Sequence, residues 1–167
     1  MSTQLTPPPT EIPPAVRAWT RLLRAHATAT RALNAQLLAE HGLTVNDYEA
    51  LYVLSRSEDL RLKPVDLAQR LLLTPSGITR LLDGLERAGL VARVPCPADR
   101  RVLWAVLTET GVAKLEAASC SHVGSIRSLF EEQMSAEEID QLVDVLGKVP
   151  GVADDALPCE QEEEEAA

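Results

Sequence analysis

The sequence predicts a mainly α fold that carries one small β-wing. Three observations predict it. Leu and Ala are abundant and aromatics make up only 3% of the chain, which favours helices. Apolar residues recur with helical period along most of the length. Between Leu90 and Leu107 alone the period changes to two, around a segment with two prolines.

The elements follow in order. Residues 1–14 are proline-rich and predict an extended or disordered leader. From Ala15 to His41 there is neither Gly nor Pro, and Val16, Trp19, Leu22, Leu23, Leu33, Leu37 and Leu38 fall roughly on one face. Gly42 ends this helix, with Leu43 placed for a Schellman contact. Its span of roughly 39 Å is long for a small monomer and hints at a dimer strut. Thr44 and Asp47 form a capping box with Asp in place of the usual Glu or Gln. It opens a second helix to about Ser55, with Tyr48, Leu51, Tyr52 and Leu54 apolar.

Arg61-Leu62-Lys63 suits a very short strand. Pro64 opens a third helix, PVDLAQRLLL, with Leu67, Ala68 and Leu71 inward. Thr74 is an N-cap and Pro75 a first helical residue for a fourth. In it Ile78, Leu81, Leu82 and Leu85 form a core stripe, and Gly89 stops the helix at C′. Its other face collects Ser76, Gly77, Thr79 and Arg80. Small hydroxyls, a bare backbone and one long cation at a helix N-terminus suit close approach to a phosphate backbone and a base edge. Two short helices joined this tightly read as a helix-turn-helix.

Leu90–Val94 and Val102–Leu107 read as strands, with Val102, Trp104 and Val106 sharing a face. Pro95 to Arg101 is placed in the projecting tip, because two prolines forbid a continuous ladder there. A basic hairpin after such a helix is a wing. Thr108 caps a long fifth helix, Glu109 to about Gln133, with Leu115, Val123, Ile126, Leu129 and Phe130 apolar. A Ser135/Glu138 capping box opens a sixth, Ala136–Val149, with Ile139, Leu142, Val143 and Leu146 inward. Pro150-Gly151 ends it, and the acidic tail completes a division into 1–14, 15–149 and 150–167.

Net charge is −9, yet its distribution is uneven. Residues 61–104 carry eight cations and four anions, whereas residues 105–167 carry three cations and fifteen anions. The basic island coincides with the fourth helix and the wing, and the acidic remainder discourages unspecific contact with DNA. No run of eighteen apolar residues exists, so no membrane span is expected. The N-terminus lacks the pattern of a secretory signal. Cys96, Cys120 and Cys159 are an odd, widely spaced set that suits a reducing cytoplasm. His26, His41 and His122 show no metal-ligand spacing, and no cofactor loop, nucleophile elbow or catalytic acid pair appears. No enzyme is expected.

This order of elements, with SGITRLLDGLERAGLV, PADRR and LTETG at their spacings, resembles the MarR family of winged-helix transcription regulators over about residues 15–149. The resemblance implies a homodimer whose first and last two helices interlock. It implies binding to double-stranded DNA at a pseudo-palindromic operator, often with release by a small aromatic ligand or an oxidant. By position, Ser76, Gly77, Thr79 and Arg80 fall where the family's recognition helix meets the major groove. Asp99 and Arg101 match the wing pair in which a carboxylate braces an arginine aimed at the minor groove, and Arg100 falls between them as a phosphate contact.

Trp19, His26, Tyr48 and Tyr52 are open to two readings, plain core or an effector crevice where the first two helices face the fifth. Cys96 in the wing stands near Arg93, Arg100 and Arg101, which favour a thiolate and make it the best redox candidate of the three; an inert exposed thiol is the preferred reading. The family's peroxide sensors carry a cysteine near the first helix, and the first 95 residues here have none. Cys120 is expected to pack in or against the helix-rich half. The reading is a ligand-responsive dimeric repressor. Its rival is a helical protein-interaction module whose winged helix no longer binds DNA, and an intact set of Arg80, Asp99 and Arg101 favours the first.

Overall fold

A computed structural model of the chain describes residues 12–95 and 103–152. The predicted segments 1–14 and 150–167 lie mostly outside them. The described elements run α1 (Pro14–His41), α2 (Val45–Ser55), β1 (Arg61–Leu62), α3 (Pro64–Arg70), α4 (Pro75–Arg87), β2 (Val91–Pro95), β3 (Leu103–Leu107), α5 (Glu109–Glu131) and α6 (Ala136–Gly147). A 3-10 turn at Glu58–Leu60, not foreseen from the sequence, leads into β1. The chain divides into two compact units, one through Ile126 and one from Arg127 onward.

The core of the first unit is knitted by leucines from four helices. Leu37 of α1, Leu51 and Leu54 of α2, Leu67 of α3, and Leu82 and Leu85 of α4 are all fully buried, together with Val91 of β2. Burying each such side chain stabilises the fold by about 1.5–3 kcal/mol. Local chemistry sets the entry of each helix. The Thr44 main-chain N–H donates to Asp47 Oδ2 at 2.8 Å, and the Asp47 N–H donates to Thr44 Oγ1 at 3.1 Å, which completes the expected box. At the end of α1, Leu43 N–H donates to the Leu37 carbonyl at 3.3 Å, the predicted Schellman contact.

The three strands form an antiparallel sheet in the order β1-β3-β2. Ala105 and Leu107 of β3 face the core. Trp104 lies on the opposite face, with Arg61 Cζ 5.1 Å and Lys63 Nζ 5.7 Å from its ring centroid. The register pairs Val94 with Trp104 and Pro95 with Leu103. Pro95 therefore belongs to the ladder, not to the tip where the sequence reading put it. At the last pair of a strand, its missing donor removes no interior bond. Cys96 to Val102 lie outside the described residues.

Gly89, at φ 71°, turns the chain from α4 into β2 in a backbone region where a side chain would be strained. Thr108 then fastens this turn to α5. Its hydroxyl reaches the carbonyls of Gly89 at 2.7 Å and Leu90 at 3.0 Å, and accepts from Gly111 N–H at 3.0 Å. Gly111 packs so closely that a Cβ there would overlap the Leu90 carbonyl oxygen.

The expected packing of Cys120 and the inward stripe of α6 need correction, and α1 and α5 bury little of their apolar faces. On α5 the buried residues are Gly111, Leu115, Ala118 and His122, while Val123, Ile126, Leu129 and Phe130 are only half-buried. Cys120 is exposed rather than packed. The burial of Leu115, Ala118 and His122 sets the inner stripe, and a residue two places from Ala118 faces away from it. On α1 only Leu37 is buried, and Val16, Trp19, Leu22, Leu23 and Leu38 are exposed. In the second unit, α6 begins at the expected capping box, with Ser135 N–H donating to Glu138 Oε2 at 2.9 Å. That bond and the serine hydroxyl hold the Glu138 carboxyl below its ordinary range. No residue of α6 is buried; Ile139, Leu142 and Leu146 are half-buried and Val143 is 65% exposed. An apolar stripe specifies which face seeks cover, and a single chain does not cover this one.

Candidate nucleic-acid interface

α3 and α4 are joined by a tight turn that presents the N-terminus of α4 to solvent. Leu73 N–H donates to the Ala68 carbonyl at 2.9 Å and Leu72 N–H to the Gln69 carbonyl at 3.2 Å. Leu72 pays for the turn with φ 52° and is 92% exposed. Thr74 Oγ1 accepts from Gly77 N–H at 3.1 Å and lies 3.2 Å from Ser76 Oγ. A Cβ on Gly77 would come within 3.2 Å of the same Thr74 hydroxyl, so the bare backbone keeps the cap closed.

Ile78, Leu82 and Leu85 point into the core, with Leu81 half-buried beside them. The helical period therefore turns Ser76, Thr79 and Arg80 outward, and all three are exposed, with Gly77 half-buried. Thr79 donates its hydroxyl proton to the Pro75 carbonyl at 2.8 Å. Arg80 makes no hydrogen bond or ion pair among the described residues. The four sequence-selected residues of α4 thus share one surface at a helix N-terminus, where the partial positive charge of the helix suits an anion. Asp99, Arg100 and Arg101 lie outside the described residues.

One residue of this region was missed. Arg93 of β2 reaches the carboxylates of Asp83 and Glu86 on α4, at 2.7 and 3.2 Å. The signal was present in the sequence, since a cation two residues beyond buried Val91 in a strand shares its inward face and needs an anion there.

The aromatic residues separate into two groups. Tyr48 is buried and stacks on Tyr52, with centroids 6.5 Å apart and planes at 16°. It also meets His122 of α5 at 4.4 Å and 56°, and its hydroxyl lies 3.2 Å from Ser119 Oγ. Trp19 is 59% exposed and joins no ring pair among the described residues. His26 is also exposed; its charge favours the ionised form of Glu49, but burial is the larger effect and raises that carboxyl above its ordinary pKa. His122, absent from the sequence-based crevice, is 4% exposed, and its Nδ1 has no hydrogen-bond partner among the described residues. Burial first, and the His41 charge second, lower its pKa. A separate cleft of about 670 Å³ opens beside α4, lined among others by Leu43, Leu85, Ala88, Ala113 and Lys114.

Among the described residues no group of His, Cys, Asp and Glu is placed to hold a metal ion. No described helix is long and apolar enough to cross a membrane.

A capped helix-turn-helix followed by an antiparallel wing defines a winged-helix protein, and comparison with known proteins gives the family. The model of the MarR family matches residues 41–102. The repressor YetL of Bacillus subtilis is 38% identical over 109 residues, 65% of this chain and 65% of that protein, just under two thirds of its length. Among solved structures, the MarR family regulator AbsC of Streptomyces coelicolor superposes with a TM-score of 0.73 at 34% identity, covering 83% of this chain and 93% of that one. Sco3205 from the same organism, solved in complex with DNA, gives 0.75 at 26% identity, covering 87% and 95%. The chain belongs to the MarR family of winged helix-turn-helix transcription regulators.

Proposed function

We propose that this regulator is a homodimeric repressor that reads a pseudo-palindromic operator and leaves it when a small aromatic effector binds. The observation that carries the DNA-reading role is the outer face of α4, where Arg80 stands exposed, with no ion pair among the described residues, beside Ser76, Gly77 and Thr79. A free guanidinium on a helix that enters the major groove can take two acceptors on one guanine edge. Asp99, Arg100 and Arg101 complete the reader in the wing. The repressor role is supported by the relative YetL, which bears that description. Dimerisation is supported by the apolar faces that α1 and α6 leave exposed. The effector site rests on the Tyr48–Tyr52–His122 cluster, in which Tyr48 and His122 are buried, Tyr52 is half-buried and His122 Nδ1 has no hydrogen-bond partner among the described residues. Trp19 and His26 join this site only when a second copy covers the exposed face of α1.

Footprinting on the DNA flanking the gene tests this reading. Two protected half-sites are expected, related by a dyad and about 10 bp apart or a multiple of that. Arg80→Ala is expected to weaken operator binding by about 1–3 kcal/mol and to relax specificity at one step per half-site. Equal affinity for operator and random DNA at physiological salt would support the rival, a protein-interaction module, and end this one.

A further inference from the structure

Arg93 is the charged residue on the inward side of β2. Along this strand Val91, Arg93 and Pro95 share one side, and Ala92 and Val94 the other. Val91 is buried, and Arg93 pairs in register with buried Ala105. The Arg93 side chain is 23% exposed. A guanidinium held there needs partners, and α4 supplies three. Nη1 lies 2.7 Å from Asp83 Oδ1 and 3.2 Å from Glu86 Oε2. Nη2 donates to the Thr79 carbonyl at 3.3 Å. The Arg93 main-chain N–H adds a contact to Glu86 Oε1 at 3.4 Å. Asp83 and Glu86 are three residues apart on α4 and so present their carboxylates side by side. The Thr79 carbonyl belongs to the same peptide unit as the Arg80 nitrogen.

We propose that Arg93 is a positioning residue that locks the root of the wing to the recognition helix at the Arg80 peptide, so that helix and wing meet DNA as one rigid reader. This rests on the DNA-reading role of α4. Both carboxylates are close to half exposed, so the ion pairs contribute little by energy alone. Their contribution is geometric: a planar guanidinium holds its donors in fixed directions, which a freely rotating ammonium does not. The guanidinium is also taken out of the pool of cations open to phosphate. Arg93 therefore counts in the basic island of the sequence without acting as part of it.

The opposing reading treats Arg93 as one more cation and Asp83 and Glu86 as anions that repel DNA. The double variant Asp83→Asn/Glu86→Gln separates the two. Removing two anions near DNA tightens binding to every sequence if charge alone matters. If the lock matters, random DNA is bound no more weakly than before, while cognate binding weakens by about threefold to tenfold through lost preorganisation. Arg93→Lys keeps the charge and removes the fork. It is expected to lower the cognate-to-random ratio by a similar factor and to leave the dependence of log Kd on log salt unchanged, because no phosphate contact is lost. Thermal melts confirm that each variant is folded at the assay temperature. Wild-type protein with no preference for its operator would overturn the DNA-reading role itself. Specific wild-type binding with an unchanged or higher cognate-to-random ratio in both variants would overturn the lock alone.

Discussion

The helix-turn-helix and the long flanking helices treat the same kind of residue differently. In α2, α3 and α4, leucines at helical spacing are covered by their own chain, and Leu51, Leu54, Leu67, Leu82 and Leu85 reach full burial. In α1 and α6, equally apolar stripes leave Val16, Trp19, Leu22, Leu23, Val143 and Val145 in solvent. The first region is a complete core within one chain. The second has the composition of a core and the exposure of a surface, which a monomeric protein avoids and a subunit interface requires. Stability of the first should be independent of protein concentration, and that of the second should rise with it.

The sharpest way to break this contrast is a charge placed on the uncovered stripe. Leu146→Asp is expected to weaken the dimer by about 3–5 kcal/mol, because association would bury an unpaired carboxylate. Leu142→Asp should act in the same direction. Sedimentation of the variants measures this, and a wild-type protein that stays monomeric at micromolar concentration would refute the dimer. In the winged half, Gly111→Ala is expected to destabilise the fold by about 1–3 kcal/mol, since the new methyl overlaps the Leu90 carbonyl. Urea denaturation reads this, and an unchanged midpoint would show that the turn yields.

The buried aromatic cluster gives a pH test. Because the His122 pKa is lowered, the folded state binds fewer protons than the unfolded chain once pH drops below 6.5. Its contribution to stability is therefore complete above that value and declines as pH falls. Glu49 acts with the opposite sign, since its raised carboxyl takes up a proton more readily when folded. Comparing wild type with His122→Phe isolates the histidine. The variant should lose less stability between neutral and acid pH, and parallel curves would exclude the buried imidazole as a cause. The smallest effect is expected at the exposed turn. Leu72→Gly relieves a left-handed leucine that packs against nothing, and a gain of about half a kcal/mol should appear in the same denaturation assay. A loss instead would mean that the leucine's limits on the unfolded chain outweigh the strain.

The parts that were legible in the sequence are those with local causes. Thr74, Pro75, the Ile78–Leu85 stripe and Gly89 specify α4 from within a short window, and both capping boxes formed as read. Pro95 was misplaced because a proline excludes a strand interior but not a strand end. The contacts of His122 and Arg93 are not patterns within one element: Tyr48 meets His122 from a distant helix, and Asp83 with Glu86 meet Arg93 only across the turn from α4 into β2. The stripes of α1 and α6 were read correctly as apolar, but periodicity names a face and not the molecule that covers it. Cys120 illustrates the same limit on one helix, since the side it occupies depends on which neighbours α5 packs against.

The wing has a frame fixed at both ends. On one side Arg93 ties β2 to α4, and on the other Thr108 and Gly111 tie the end of β3 and the start of α5 to the Gly89–Leu90 turn. The ladder between them closes at Pro95 and Leu103. For protein engineering this makes residues 96–102 an exchangeable cassette. Segments of other length or charge joined at Pro95 and Leu103 are expected to leave the β2–β3 register and α4 in place. A library randomised only between those anchors would test whether the DNA contacts proposed for residues 99–101 can be changed independently of those proposed for α4.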